Sequence, residues 1–220
     1  MVEVSTSLLS IDEEKCIQTI YDLEVAGTNS FHIDVMDGKF VKNNTTEKMR
    51  KYTEYIKQVS NTKIDVHLMV EDVESYINSY IDMGVNSITF HVESVKNEKK
   101  VLELISYIKH NNIQVGLTIK PNTPVQKIYP YLPYIHSVMI MSVEPGEGAQ
   151  KFIESSLSKI QELNIYAYEN GYDIDIAVDG GINDETAKSV KNSGANILVA
   201  GSYIIKSNDY KEAIRSLKEK

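Results

Sequence analysis

The chain has 220 residues, 42% hydrophobic and 25% charged, enough to bury the core of an ordinary globular domain. A net charge of −8, with no basic run beyond Lys99-Lys100, leaves no electrostatic footprint for nucleic acid or an anionic membrane. Cys16 is the only cysteine, which excludes an internal disulfide and a thiolate zinc cluster. No apolar stretch reaches the roughly 18 residues of a membrane span, so a cytoplasmic protein is expected.

In chain order, residues 4–9 read as a short apolar strand, and Asp12-Glu13-Glu14 opens a helix that Gly27 ends. A strand at 31–36, a helix at 47–58 and a strand at 63–69 follow. Val73, Ile77, Tyr80 and Ile81 form one stripe of a helix that stops at Gly84, before a strand at 87–91. A helix at 97–111 leads to a strand at 114–119. Tyr129-Pro130-Tyr131-Leu132-Pro133-Tyr134 is too proline-broken for one continuous helix and reads as core packing beneath a short one. A strand at 137–141, a helix at 153–170, a strand at 174–178, a helix at 184–193, a strand at 197–200 and a helix near 210–217 complete the chain.

Eight strands alternating with helices argue for parallel βαβ units throughout, and the count points to a single (β/α)8 TIM barrel over residues 1–220. An open doubly wound sheet would carry a glycine-rich fingerprint after its first strand, where this chain has Ser7-Leu8-Leu9-Ser10.

The chemistry gathers at three strands. Strand side chains alternate, so His32, Asp34 and Met36 share one face, with neighbours i and i+2 about 6.6 Å apart. His67 and Met69 repeat the arrangement, and another strand ends in Val178-Asp179-Gly180-Gly181. In a barrel these groups meet at the carboxyl ends of the strands. His32, Asp34, His67 and Asp179 then form a nitrogen–oxygen set suited to one divalent ion, Zn2+, Fe2+ or Mn2+. His91, ending the fourth strand, fits only an outer role, and His136 lies at the wrong end of its strand, so neither joins the set.

Asp34 and Asp179 sit on strands three steps apart around an eight-stranded ring and approach a ligand from opposite sides. Two carboxylates so placed can remove a proton from one face of a carbon and return one to the other. Which of the two holds a proton depends on the substrate's configuration. Gly146-Glu147-Gly148 after the sixth strand, Gly180-Gly181 after the seventh and Gly201-Ser202 after the eighth let backbone N–H groups approach an anion, where such barrels bind phosphate.

At these residues the chain resembles the ribulose-phosphate 3-epimerase family. The similarity runs from Ser7 to Ser202 and rests on Ser-Leu-Leu-Ser at 7–10, His-Ile-Asp-Val-Met-Asp-Gly-Lys-Phe-Val at 32–41, Asp-Val-His-Leu-Met-Val at 65–70, Met-Ser-Val-Glu-Pro-Gly at 141–146 and Val-Asp-Gly-Gly-Ile at 178–182. The resemblance implies a metal-dependent isomerase that interconverts D-ribulose 5-phosphate and D-xylulose 5-phosphate in the pentose phosphate pathway. It makes Asp34 the proton acceptor and Asp179 the donor, both also metal ligands with His32 and His67. It places Ser7 and His67 against the substrate, walls the reacting carbons with Met36, Met69 and Met141, and assigns the loop from Gly146 through Glu147 and Gly148 to Ala149 to substrate binding. It also implies a dimer or hexamer.

The chain departs from the family pattern at Lys42, where proline is usual, at Glu147, where phenylalanine is usual, at Ala149, where glycine is common, and at Tyr203, where a small residue often stands. Lys42 and Glu147 are expected to face each other across the mouth and to pair on closure. A rival reading keeps the mechanism and changes the substrate to D-allulose 6-phosphate. Others are a metal-independent phosphate-binding barrel, which would not need the two histidines as ligands, and a non-catalytic paralogue.

Overall fold

Most strands are apolar on one side, as Ile33 and Val35 are beside His32 and Asp34, and those apolar sides pack with helix residues into one continuous core. The computed structural model describes residues 2–219. Its strands are β1 (Glu3–Ser7), β2 (Ser30–Met36), β3 (Lys63–Met69), β4 (Ser87–His91), β5 (Gln114–Ile119), β6 (Ser137–Met141), β7 (Asp175–Asp179) and β8 (Ile197–Ala200). All neighbours are parallel and in sequence order, and β8 pairs back onto β1 to close a (β/α)8 TIM barrel. The helices are α1 (Cys16–Ala26), α2 (Thr46–Val59), α3 (Val73–Asp82), α4 (Glu98–His110), α5 (Ser156–Asn170), α6 (Asp184–Asn192), α7 (Ser202–Ile205) and α8 (Tyr210–Lys218). Among the described residues no helix is long and apolar enough to cross a membrane.

At the amino ends of the strands one device recurs four times. The residue just before each even-numbered strand accepts the backbone N–H of an odd-strand residue on its side chain: Asn29 from Val4 at 2.9 Å, Asn86 from Ile64 at 2.8 Å, His136 from Val115 at 3.1 Å and Asn196 from Ile176 at 2.7 Å. Each returns its own N–H to the same residue's carbonyl. These two-bond staples satisfy backbone groups where the ladder begins and fix the register of each strand pair. His136 therefore belongs to the framework.

Register carries that order to the other end, where Asp34 lies beside His67, His32 beside Asp65 and Met36 beside Met69. Inside the ring, polar side chains from β1 to β5, including His32, Asp34, His67, Thr89, His91 and Thr118, are buried. Opposite them, Met139, Met141, Val143, Ala177 and Val199 form an apolar cluster. The interior of the barrel is thus divided into a polar and an apolar wall.

Several expected boundaries shift for physical reasons. The first strand ends at Ser7 rather than residue 9, because the chain turns there and Ile11 N–H bonds back to Leu8. Residues 13–15 are a tight 3-10 turn and the α-helix starts at Cys16. The helix expected from residue 153 starts at Ser156, since Ile153 N–H is committed to the Ser142 carbonyl. The seventh strand runs one residue further than expected, so Asp179 is its last residue. Ser202 opens a four-residue helix that the sequence pattern did not reveal. The proline-broken stretch is a 3-10 helix, Tyr129–Tyr134, with Tyr131 and Leu132 buried as core.

Candidate active site

β2 places His32 and Asp34 on its inner face, β3 adds Asp65 and His67, and β7 presents Asp179 from across the ring. Ligand atoms of His32, Asp34, His67 and Asp179 all lie within 4.8 Å of one another. His67 Nδ1 is 3.2 Å from Asp34 Oδ1 and 3.8 Å from Asp179 Oδ2, and His32 Nε2 is 3.4 Å from Asp34 Oδ1. Ligands at 2.0–2.1 Å from a tetrahedral ion stand about 3.4 Å apart, so these spacings suit a metal. His32 Nε2 is also buried without a hydrogen-bond partner, as an atom waiting for an ion would be. The cluster can hold a metal ion.

Neighbouring residues fix these groups. His32 Nδ1 contacts Asp65 Oδ2 at 2.7 Å, and Ser87 Oγ donates to the other oxygen of Asp65 at 2.7 Å. Ser7 Oγ donates to Asp34 Oδ2 at 2.7 Å. Thr45 binds both sides of the strand end, donating to the Asp34 carbonyl and accepting from Met36 N–H. Asp37 is committed to turn geometry, accepting from the N–H groups of Lys39, Phe40 and Glu71.

The two central carboxyls are driven apart. Burial raises Asp34, but the nearby imidazoles of His32 and His67 outweigh it and hold the group well below the ordinary carboxylate range. Asp179 lacks comparable partners. Burial, reinforced by the Asp34 charge, pushes it up to about 6. For His32, burial opposes the charged form, while Asp34 and Asp65 prevail and raise it well above its usual value. The two carboxyls thus sit in unlike environments, the condition under which one can accept a proton while the other gives one.

A cavity opens above the cluster. Ser7, Asp34, Met36, Met69, Met141 and Asp179 floor it, and the loops after β6, β7 and β8 wall it through Gly146, Glu147, Gly148, Ala149, Gly180, Gly181, Gly201 and Ser202. His67, expected also to touch substrate, is fully buried and absent from that lining, because Asp34 and Asp179 stand between it and the opening. Gly181 has φ +65°, and a Cβ there would lie 2.7 Å from the Phe152 backbone nitrogen, so that loop requires glycine twice over.

The loops after β2 and β6 meet at the mouth, where Lys42 and Glu147 both line one rim groove. Asn43 Nδ2 donates to the Gly146 carbonyl at 2.8 Å, and Val41 packs against Gly146. Gln150 Nε2 closes the β6 loop on the carbonyls of Glu144 and Glu147. A neutral amide and a backbone oxygen thus bridge the mouth.

Sequence reasoning passed over Asp65, Ser87 and Glu93, and gave His91 no partner. Asp65 carried a signal, since it lies two residues before His67 and so shares its face. His91 lies with its Nε2 3.0 Å from His67 Nε2, an outer position behind a proposed ligand.

The ribulose-phosphate 3 epimerase family model matches residues 3–205. The chain belongs to that family. A ribulose-phosphate 3-epimerase of Bacillus subtilis is 39% identical over 99% of each chain, and one of Methanocaldococcus jannaschii 38% identical over 100% of this chain and 91% of its own. A chloroplastic ribulose-5-phosphate-3-epimerase of Arabidopsis thaliana is 36% identical over 98% of this chain and 75% of its own. Among solved structures, KGPDC from Streptococcus mutans superposes with a TM-score of 0.72 at 12% identity, covering 99% of this chain and 96% of that one. That likeness is one of fold.

Proposed function

We propose that this chain, acting as one catalytic barrel, is a ribulose-phosphate 3-epimerase that interconverts D-ribulose 5-phosphate and D-xylulose 5-phosphate with Asp34 and Asp179 as its two proton-transfer groups. The observation that carries the mechanism is the placement of Asp34 on β2 and Asp179 on β7, three strands apart around the ring and together at the floor of one cavity. From the ribulose epimer, the Asp34 carboxylate takes the C3 proton, and the electron pair moves to the C2 carbonyl oxygen to give an enediolate. Asp179 then delivers its proton to the opposite face of C3, the carbonyl re-forms, and the configuration is inverted. Asp34 leaves the cycle protonated and Asp179 ionised, ready for the reverse direction.

A divalent ion held by His32, Asp34, His67 and Asp179 would supply positive charge next to the oxygen that gains the electron pair. Zn2+, Fe2+ and Mn2+ all suit this donor set. Met36, Met69 and Met141 exclude water from the carbon undergoing exchange with soft apolar surface. Ser7 holds Asp34 and reaches the substrate's near end. Backbone N–H groups of Gly146 to Ala149, Gly180-Gly181 and Gly201-Ser202 receive the phosphate, which compensates for a net charge that gives no long-range attraction to anions. Cytoplasmic location and assembly into a dimer or hexamer complete the reading.

The test is bound-metal analysis paired with activity on D-ribulose 5-phosphate and on D-allulose 6-phosphate. The reading requires a stoichiometric divalent ion and the higher kcat/KM on the pentulose. Full activity in a metal-free preparation would overturn the ligand assignment, and preference for the hexulose would overturn the substrate.

A further inference from the structure

The loop after β6 is anchored at its two ends. Ser142 N–H donates to the Asp179 carbonyl at 2.8 Å, and Ile153 N–H returns to the Ser142 carbonyl at 2.8 Å. Between those anchors, among the described residues, no backbone N–H from Gly146 to Gln150 donates to a protein acceptor. The carbonyls of the loop are taken instead. Asn43 Nδ2 donates to the Gly146 carbonyl at 2.8 Å, and Gln150 Nε2 donates to the carbonyls of Glu144 at 2.6 Å and Glu147 at 2.9 Å. A carbonyl only accepts, so each side-chain amide must present its NH2 here.

Holding a carbonyl also aims the N–H behind it. A trans peptide unit is planar, and its C=O and N–H point in opposite directions. The Gly146 carbonyl shares its unit with the Glu147 N–H, and the Glu147 carbonyl shares the next with the Gly148 N–H. Gly146 and Glu147 line both the central cavity and the rim groove bordered by Phe40, Val41 and Lys42, so this turn of chain is the wall between the two. Asn43 stands on the groove side of that wall. It follows Lys42 directly, and Val41 lies so close that a Cβ added to Gly146 would come within 3.0 Å of Val41 Cβ. With its carbonyl drawn to the groove, the first unit turns the Glu147 N–H toward the cavity. Gln150 fixes the second unit through the Glu147 carbonyl and leaves the Gly148 N–H on the opposite side of that plane.

The Asn43 amide is itself mounted on a fixed base. The Asn43 carbonyl accepts Gly38 N–H at 3.0 Å, Asn44 bridges to Asp37, and Thr45 N–H donates to the Met36 carbonyl at 2.9 Å. The strand that carries Asp34 therefore also supports the amide that grips the β6 loop.

We propose that Asn43 and Gln150 are positioning residues for the substrate's phosphate, holding two successive carbonyls of the β6 loop so that the N–H groups of Glu147 and Gly148 converge on the anion. Both act through backbone carbonyls. The proposal rests on the reading above that the glycine loops receive the phosphate.

The experiment uses the full-length chain, uniformly 15N-labelled, with inorganic phosphate as the probe. Backbone amide shifts are followed as phosphate is added, its Kd is measured by calorimetry, and KM and kcat are determined on D-ribulose 5-phosphate. In the native sequence the Glu147 and Gly148 amides are expected to move downfield together with those of Gly180, Gly181, Gly201 and Ser202. Asn43→Ala and Asn43→Asp both remove the donor, and only the second adds a charge. Each should abolish the Glu147 response and raise the phosphate Kd and KM about 10-fold, as for one hydrogen bond to a charged group. Little change in kcat is expected, because the lost interaction is one of uniform binding. Gln150→Ala should abolish the Gly148 response in the same way.

A native Glu147 amide that ignores phosphate while the other glycine loops respond overturns the proposal and leaves the phosphate reading standing. No response from any of the three loops overturns both. Unchanged Kd and KM in Asn43→Ala also overturn the proposal, as does a loss confined to Asn43→Asp, which reports charge alone. Should a variant not fold, the amide shifts of the native protein decide.

Discussion

Asp65 Oδ2 lies 2.7 Å from His32 Nδ1, and the acid accepts a further hydrogen bond from Ser87 Oγ. This carboxylate orients the ring so that Nε2, buried and without a partner, points at Asp34. Because His32 gives its Nδ1–H away, the two histidines present opposite nitrogens to the cluster, Nε2 from His32 and Nδ1 from His67. Asp65→Ala is therefore expected to lower divalent-metal affinity 10- to 100-fold while leaving the barrel folded. Chelator competition with circular dichroism as a control measures both, and an unchanged affinity would remove Asp65 from the design.

The two-base reading predicts that epimerisation and exchange can be uncoupled. In D2O, Asp179→Asn should incorporate deuterium at C3 of D-ribulose 5-phosphate through Asp34 far faster than it forms the xylulose epimer. Asp34→Asn should show the reverse preference when given D-xylulose 5-phosphate. Each variant must first be shown to retain its ion, since a lost ion would imitate a lost base. Equal loss of exchange and epimerisation for both substrates, with the ion present, would mean that the carboxyls do not divide the faces.

At Gly181, replacement by alanine meets two penalties. The residue has φ +65°, which costs a residue with a Cβ roughly 1–2 kcal/mol, and the added carbon would lie 2.7 Å from backbone that cannot rotate away. Gly181→Ala should lower stability by at least about 2 kcal/mol and raise KM for the sugar phosphate. Denaturant melts and steady-state kinetics test this, and a variant with native stability and KM would show that the loop relaxes freely.

His136 gives the framework an acid-sensitive staple where the three equivalent positions carry asparagine. Burial, aided by Lys109 and opposed by Asp175, lowers its pKa in the folded state. The neutral ring is thus favoured by folding. Its contribution is complete above the unfolded value, about 6.5, and is lost as pH falls below that toward the lowered folded value. His136→Asn should remove that loss, and His136→Ala should cost up to about 1 kcal/mol at neutral pH, or about 2–4 °C in Tm. Thermal melts between pH 7 and 5 measure it. A pH profile identical in His136→Asn and the native sequence would show that the staple does not titrate.

Much of this protein was legible in one dimension. Eight apolar segments at regular spacing, separated by helical stripes and stopped by glycines, determined the barrel, since period and punctuation are local properties of a chain. The i, i+2 rule put His32 with Asp34, and the same spacing links Asp65 to His67, although the sequence reading did not single out Asp65. What it could not supply was who stands beside whom across strands. His32 meets Asp65 from 33 positions away, and His67 meets His91 from 24, because ring closure and the amino-end staples fix the register. The nitrogen that each ring turns toward Asp34, Nε2 of His32 and Nδ1 of His67, is set by those cross-strand neighbours. The same holds at the mouth, where the packed loops bring Asn43 to the Gly146 carbonyl from 103 positions away. Side-chain periodicity names the face a residue occupies, and only the closed barrel decides the partner it finds there.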